Sequence, residues 1–186
     1  VVITGVGSGI GRALAVNIFK CGGTPVLIEL NKKSLHETCQ LLESMGCTPE
    51  YYCCDVSNFQ KMKRISDTVL RKHNRVHGII NNAGFTVGSS VLDLGYEDIK
   101  TCMDVMFYGM VYGSKLFLPH FTNYNDGFIA NVSSIFGLLS VPGQAAYHSA
   151  KFAIRGFTDS LYLECKLNKL NINISCIFPG HIGTNI

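Results

Sequence analysis

No stretch of this chain is apolar for anything near the roughly 20 residues that a membrane-spanning helix needs, and its start lacks the layout of a secretory signal. Charge of one sign is also scarce. The formal net charge of +3 is too small and too scattered to argue for nucleic acid as a partner. Lys32-Lys33 and Arg71-Lys72 read as solvated helix faces. The eight cysteines contain no CxxC pair, and the six histidines show no zinc-like spacing, so no metal is expected. Cys53 and Cys54 are adjacent on an expected strand, where successive side chains point to opposite faces, so they are poorly placed to share one ion. The thiols are expected to be reduced and packed as small hydrophobes, as in a cytoplasmic protein. His120, His148 and His181 are expected at the surface or in loops rather than as ligands. The chain opens on Val1-Val2-Ile3 without a methionine, which leaves membrane association through a preceding segment open. No linker, repeat or low-complexity tract divides it.

What remains is a globular chain: 47% apolar and 16% charged over 186 residues, enough for one domain, 1–186, with a substantial core. Strand and helix signals alternate. Short apolar runs at Val1–Thr4, Pro25–Leu30, Tyr51–Cys54, Val76–Asn81, Gly127–Val132 and Ile172–Phe178 read as strands. Helical patterns fall at about 10–22, 32–46, 58–74, 96–121 and 145–169. That alternation predicts an α/β fold with a doubly wound, Rossmann-like parallel sheet covered on both faces.

The first strand runs into Gly5-x-x-x-Gly9-x-Gly11, with a helix expected from Ile10. The common dinucleotide fingerprint has glycines at i, i+2 and i+5 and is not matched here. The physical logic survives the different spacing: glycines let the backbone approach a phosphate, and a helix N-terminus offers partly positive N–H groups. Glu29 ends the second strand, where an acid can accept both hydroxyls of an adenosine ribose and would repel a 2′-phosphate. NAD is therefore favoured, with NADP open; Arg12, Lys32 and Lys33 are the nearby cations.

At the other end stands Tyr147-His-Ser-Ala-Lys151, with Ser134 upstream. A free tyrosine, with a pKa near 10, is a poor base at neutral pH. A cation within about 4–6 Å can lower such a pKa by roughly 1–3, and Lys151 at i+4 shares the helix face of Tyr147. Tyr147 then has the chemistry of a general acid/base for an alcohol or ketone, and a hydroxyl at Ser134 can hold the same oxygen.

Taken together, the TGxxxGIG turn at 4–11, Asp55, Asn81-Asn82-Ala83-Gly84, Ser134, Tyr147-x-x-x-Lys151 and Pro179-Gly180-x-Ile182-x-Thr184 resemble the short-chain dehydrogenase/reductase family over the whole chain. The resemblance implies an NAD(P)-dependent oxidoreductase acting on a small-molecule alcohol or ketone, with Ser134, Tyr147 and Lys151 catalytic. It implies a cofactor site made of Gly5, Ser8, Gly9, Ile10, Gly11, Glu29, Asp55, Val56, Asn82, Ala83 and Gly84, with Tyr147, Lys151, Pro179, Gly180, Ile182 and Thr184 at the nicotinamide end. Asp55 and Val56 would hold the adenine, and Lys151 would also bind the nicotinamide ribose. The apolar loop 135–144, together with Phe85, points to a lipophilic substrate such as a steroid, retinoid or fatty acyl derivative touching Ser134, Phe136, Gln144 and Tyr147. A homodimer or homotetramer is expected through the helices near 99–121 and 147–167.

Two departures stand out. Met106 occupies the place of the family's helix asparagine, which helps keep a helix irregularity and a proton-relaying water. The chain also stops at Ile186, short of the substrate lid and last strand that the resemblance implies, so a truncated form is expected. These departures keep a second reading in view, an NAD-binding regulatory or scaffold protein with weak or no turnover. An epimerase or dehydratase of the extended relatives is disfavoured by the short length and the glycine spacing.

Overall fold

The computed structural model describes residues 1–180, 182 and 183. Six parallel strands, β1 (Val2–Thr4), β2 (Val26–Glu29), β3 (Glu50–Cys53), β4 (Gly78–Asn81), β5 (Gly127–Val132) and β6 (Ile172–Ile177), form one sheet in the order β3-β2-β1-β4-β5-β6. Helices α1 (Gly9–Lys20), α2 (Lys32–Ser44), α3 (Phe59–Lys72), α4 (Tyr96–Cys102), α5 (Gly109–Tyr124) and α6 (Ala145–Leu167) make the crossovers. The order reverses between β1 and β4, whose register pairs Val2 with Ile79 and Ile3 with Ile80. A crevice therefore opens above the carboxyl ends of those two strands, where doubly wound sheets bind ligands.

Alternation along the strands divides the interior in two. Val2, Ile28, Ile79 and Ile129 face a cluster with Met62, Val69, Phe117 and Phe121 of α3 and α5. Ile3, Leu27 and Ile80 face the other way, onto Ala15, Leu35 and Leu42 of α1 and α2. No described helix is long and apolar enough to cross a membrane.

The expected elements are all present, with ends displaced by a few residues. β4 starts at Gly78 rather than Val76, because the Val76 N–H is taken by the His120 ring (3.1 Å) instead of a neighbouring strand. The helix expected over 96–121 is three segments: α4, a π-helical stretch at Met103–Tyr108, and α5 running on to Tyr124. The helix irregularity is thus present with Met106 in the asparagine position, so main-chain geometry suffices to hold it. The eight cysteines are free; Cys54 is buried and Cys53 exposed, as opposite strand faces require. No group of three His, Cys, Asp or Glu side chains suited to a metal occurs among the described residues. The expectation for the histidines needs correction. His148 is buried on α6 against Phe136 (ring centroids 4.9 Å), and His120 is half-buried on α5; His181 lies outside the described residues. His148 meets the turn at Ile135–Gly137 and His120 meets Val76, neighbours that a single polar residue does not reveal.

Candidate active site

The glycine turn joins β1 to α1. Gly11 sits so close to the strand end that a Cβ there would lie 2.0 Å from the Gly5 carbonyl oxygen and 2.7 Å from the Asn82 amide nitrogen. Asn82 stitches β4 to this turn, its Nδ2 donating to the Thr4 and Gly5 carbonyls at 3.0 Å each. Thr4 Oγ1 in turn accepts from the Asn82 and Ala83 N–H groups at 3.0 and 3.1 Å. Thr4 is a supporting residue that sequence reasoning missed, although a hydroxyl at the end of a strand entering such a turn was the available signal.

Gly5, Gly7, Ser8, Gly9, Ile10, Gly11, Glu29, Ser34, Asn82 and Gly84 line a cavity of about 150 Å³. The first-turn N–H groups of α1 have no intrahelical partner, and the Ser8 side chain does not cap them. They are therefore available to an anion. Glu29 stands in this cavity as expected, but its carboxylate already serves the loops: Oε2 accepts from Gly7 N and Oε1 from Asn31 N, both at 2.9 Å. Asp55 and Val56 lie beyond the lining of this cavity. Asp55 Oδ1 accepts from the Ser57 N–H and hydroxyl, and Val56 is buried against Gly109.

A second cavity of about 280 Å³ contains Ser134, Tyr147 and Lys151, with Phe136, Gln144, Pro179, Gly180 and Ile182 around them. It shares Ile10, Asn82 and Gly84 with the first, so one groove runs from the glycine turn to the phenol. Thr184 lies outside the described residues. The three polar side chains are nearly buried, at 7, 8 and 4% exposure in chain order. The end of β5 grips Lys151 twice: Nζ donates to the Val132 carbonyl, and the Ser133 hydroxyl donates to the Lys151 carbonyl, both at 2.8 Å. Ser133 is thereby committed to packing α6 on the strand. Ser134 Oγ accepts from Phe136 N at 3.2 Å, and its hydroxyl donates toward the Tyr147 phenol oxygen.

The electrostatics correct one expectation. In the free protein the Tyr147 phenol is pushed above its ordinary range by burial, with the Ser134 hydroxyl pulling the other way. The Lys151 ammonium stands 5.5 Å from the ring centroid, and burial lowers its own pKa to about 8. Desolvation outweighs the expected downward shift of the phenol. The loop 135–144 also differs from expectation, since only Ile135, Phe136 and Gln144 of it line the cavity. Leu138, Leu139 and Val141 turn to solvent, because a tight turn at Ile135–Gly137 closes with Leu138 and Leu139 N–H bonds to Ile135 O and sends the chain outward. Phe85 packs among Met106, Tyr147 and their neighbours instead of lining the groove.

A crevice over a parallel sheet, with a glycine turn at one end and a Ser, Tyr and Lys set at the other, has the layout of a dinucleotide site beside an acid–base centre. Comparison with known proteins agrees: residues 1–186 match the short chain dehydrogenase family over their whole length, and the chain belongs to that family. It is 40% identical to SadH of Mycobacterium tuberculosis over 185 residues, covering 100% of this chain and 67% of SadH. It is 36% identical to human epidermal retinol dehydrogenase 2 over 188 residues, covering 100% of this chain and 61% of that protein. Among solved structures, a short-chain dehydrogenase/reductase from Burkholderia phymatum in complex with NAD superposes with a TM-score of 0.96 at 30% identity, covering 100% of this chain and 66% of the other. The chain thus spans roughly three fifths to two thirds of these relatives.

Proposed function

We propose that this chain carries the cofactor site and acid–base site of an enzyme that interconverts a secondary alcohol and a ketone on a lipophilic substrate, with NAD preferred over NADP. The observation that carries the reading is the single groove joining the uncapped N-terminus of α1 to Ser134, Tyr147 and Lys151. The bound nicotinamide would supply or accept the hydride. The turn at Gly5–Gly11 would hold its diphosphate, Glu29 the adenosine ribose, Asp55 and Val56 the adenine side, and Ala83, Gly84, Pro179, Gly180 and Ile182 the remainder.

For reduction, Tyr147 donates its phenolic proton to the carbonyl oxygen, and the Ser134 hydroxyl, turned toward the phenol in the free protein, donates to the same oxygen once substrate is bound. A phenol held above its ordinary pKa is fully protonated at neutral pH, which suits a proton donor. Lys151, protonated below about pH 8, stabilises the phenolate as it forms. Oxidation runs the same transfers backwards. Ile10, Val132, Ile135, Phe136 and Ile182 supply an apolar wall, which supports a lipophilic substrate of steroid, retinoid or fatty acyl type. The known names of the relatives, retinol dehydrogenase among them, point the same way.

NADH formation with a panel of secondary alcohols, including retinol-like and steroid alcohols, tests this reading. Cofactor binding without turnover across the panel by the full-length protein would favour the regulatory reading, which rests on buried Met106 beside Gly84 (Sδ 3.3 Å from a Cβ placed there). For cofactor choice, Glu29→Ala is expected to weaken NAD binding about tenfold and to narrow the preference over NADP. Calorimetric titration with both cofactors checks this, and unchanged affinities would remove Glu29 from the site. Assembly belongs to the same proposal: Tyr108 in the π-helical stretch, and Phe152, Tyr162 and Leu163 on α6, remain exposed and suit a helical dimer or tetramer interface. A stable monomer on gel filtration would count against it.

A further inference from the structure

Helix α2 is tied to the glycine turn by a cluster outside the motif. Thr38, fully buried midway along α2, donates its hydroxyl to the Val6 carbonyl at 2.8 Å and accepts from Arg12 Nε at 2.9 Å. The Arg12 guanidinium reaches back from α1 so that Nη2 donates to the Gly7 carbonyl, with Glu37 Oε2 at 3.1 Å and the Ser34 carbonyl at 3.4 Å. From beneath, Glu29 Oε2 holds the Gly7 N–H at 2.9 Å.

These bonds fix two consecutive peptide planes. In a trans peptide the C=O and N–H point in opposite directions. The Val6–Gly7 plane is held at both ends, by Thr38 and by Glu29. The Gly7–Ser8 plane is held by Arg12 at its carbonyl, which turns the Ser8 N–H the other way, and Ser8 lines the cavity at the turn. Position 7 is crowded: a Cβ there would meet Ser34 Oγ at 2.4 Å and the Glu29 carboxylate at 3.0 Å, so a larger residue would have to displace those side chains. A glycine peptide rotates at little cost, so its orientation has to be imposed from outside. Were this plane to flip, a carbonyl dipole would face the anion in place of an N–H.

We propose that Arg12 and Thr38 are positioning residues for the cofactor diphosphate: from α1 and α2 they lock the Gly7–Ser8 peptide with its N–H offered to the phosphates. The inference rests on the NAD(P) reading above. It assigns Arg12 a structural use of its charge, since Thr38, Glu37 and the Gly7 carbonyl already engage Nε and Nη2, rather than recognition of a 2′-phosphate.

The test is calorimetric titration with NAD and with NADP, alongside ligand-detected NMR titration with adenosine, which has no diphosphate. Arg12→Met and Thr38→Val should each weaken NAD and NADP equally, by about tenfold, while adenosine affinity changes less than about twofold. Thr38→Ser, which keeps the hydroxyl, should restore NAD affinity. Thermal unfolding without ligand monitors folding, and Arg12→Lys with Thr38→Ser gives a milder pair if the first two variants fold poorly; Arg12→Lys should then lose NAD affinity while Thr38→Ser keeps it. Equal loss for adenosine, a loss confined to NADP, unchanged NAD affinity, or no rescue by serine would each overturn the proposal. A wild-type chain binding neither dinucleotide would defeat the parent reading first, before any variant is compared.

Discussion

Tyr147→Phe should lower turnover by about a thousandfold, within the range of general acid–base catalysis, while NAD affinity stays within a few-fold of wild type. The substitution removes one oxygen from a ring that otherwise keeps its packing among Met106, Ala150 and Ile154, so the fold should be retained. Steady-state rates with any alcohol that the wild-type enzyme accepts, together with calorimetric NAD titration, check both halves. Turnover within tenfold of wild type would exclude Tyr147 as the proton donor. In the wild type, ketone reduction should hold steady through neutral pH and fall as pH rises past about 8, where Lys151 loses the proton that stabilises the phenolate. Stability should respond in the opposite sense over that window. The Lys151 pKa is about 8 in the folded chain against an ordinary lysine's 10.5, so the unfolded state binds more protons in between and folding gains with rising pH. A rate profile without a fall above pH 8 would separate Lys151 from the chemistry.

Gly11→Ala should abolish measurable NAD binding and destabilise the chain by about 3 kcal/mol, the upper end of ordinary overpacking costs. The new methyl would sit 2.0 Å from the Gly5 carbonyl oxygen, a backbone atom fixed by β1, and 2.7 Å from the Asn82 amide that joins β4 to the turn. The first is backbone and the second a side-chain amide held by two carbonyls, so α1 must move away from the strand and carry its N–H groups out of the groove. A drop in thermal midpoint on the order of 10 °C follows for a chain of this size. Near wild-type stability with intact NAD affinity would show that the turn is looser than drawn. Gly156 on α6, by contrast, has open space around its Cβ position, no left-handed backbone and no place in the groove lining, which makes it the control site.

The strands were legible because each is a short apolar run bounded by turn residues, and the parallel order follows from the helices between them. Gly127–Val132 matched its expected bounds, whereas β4 lost its first two residues to the His120 contact with Val76, a tertiary event. The groove was legible for a similar reason. Strand ends at 4, 29, 81 and 132 converge in a doubly wound sheet, so residues just after them meet at one edge. The pairing of Arg12 with Thr38 stayed hidden, since 26 residues separate them and Arg12 by itself reads only as a cation near the turn. Leu138, Leu139 and Val141 were misplaced because hydropathy cannot tell which way a tight turn sends the chain.

From residue order alone came the chemistry on offer: a phenol with an ammonium one helical turn away, a hydroxyl before them, and glycines where a strand becomes a helix. Those are local spacings, and local spacing determines which groups share a helix face or a turn. Only the folded chain decided their electrical state and their neighbours. Burial raised the tyrosine and lowered the lysine, and Thr38 and Arg12 took hold of the Val6 and Gly7 carbonyls in the glycine turn. Desolvation and peptide orientation depend on every atom packed around a group, most of them distant in sequence, and no local pattern carries that sum.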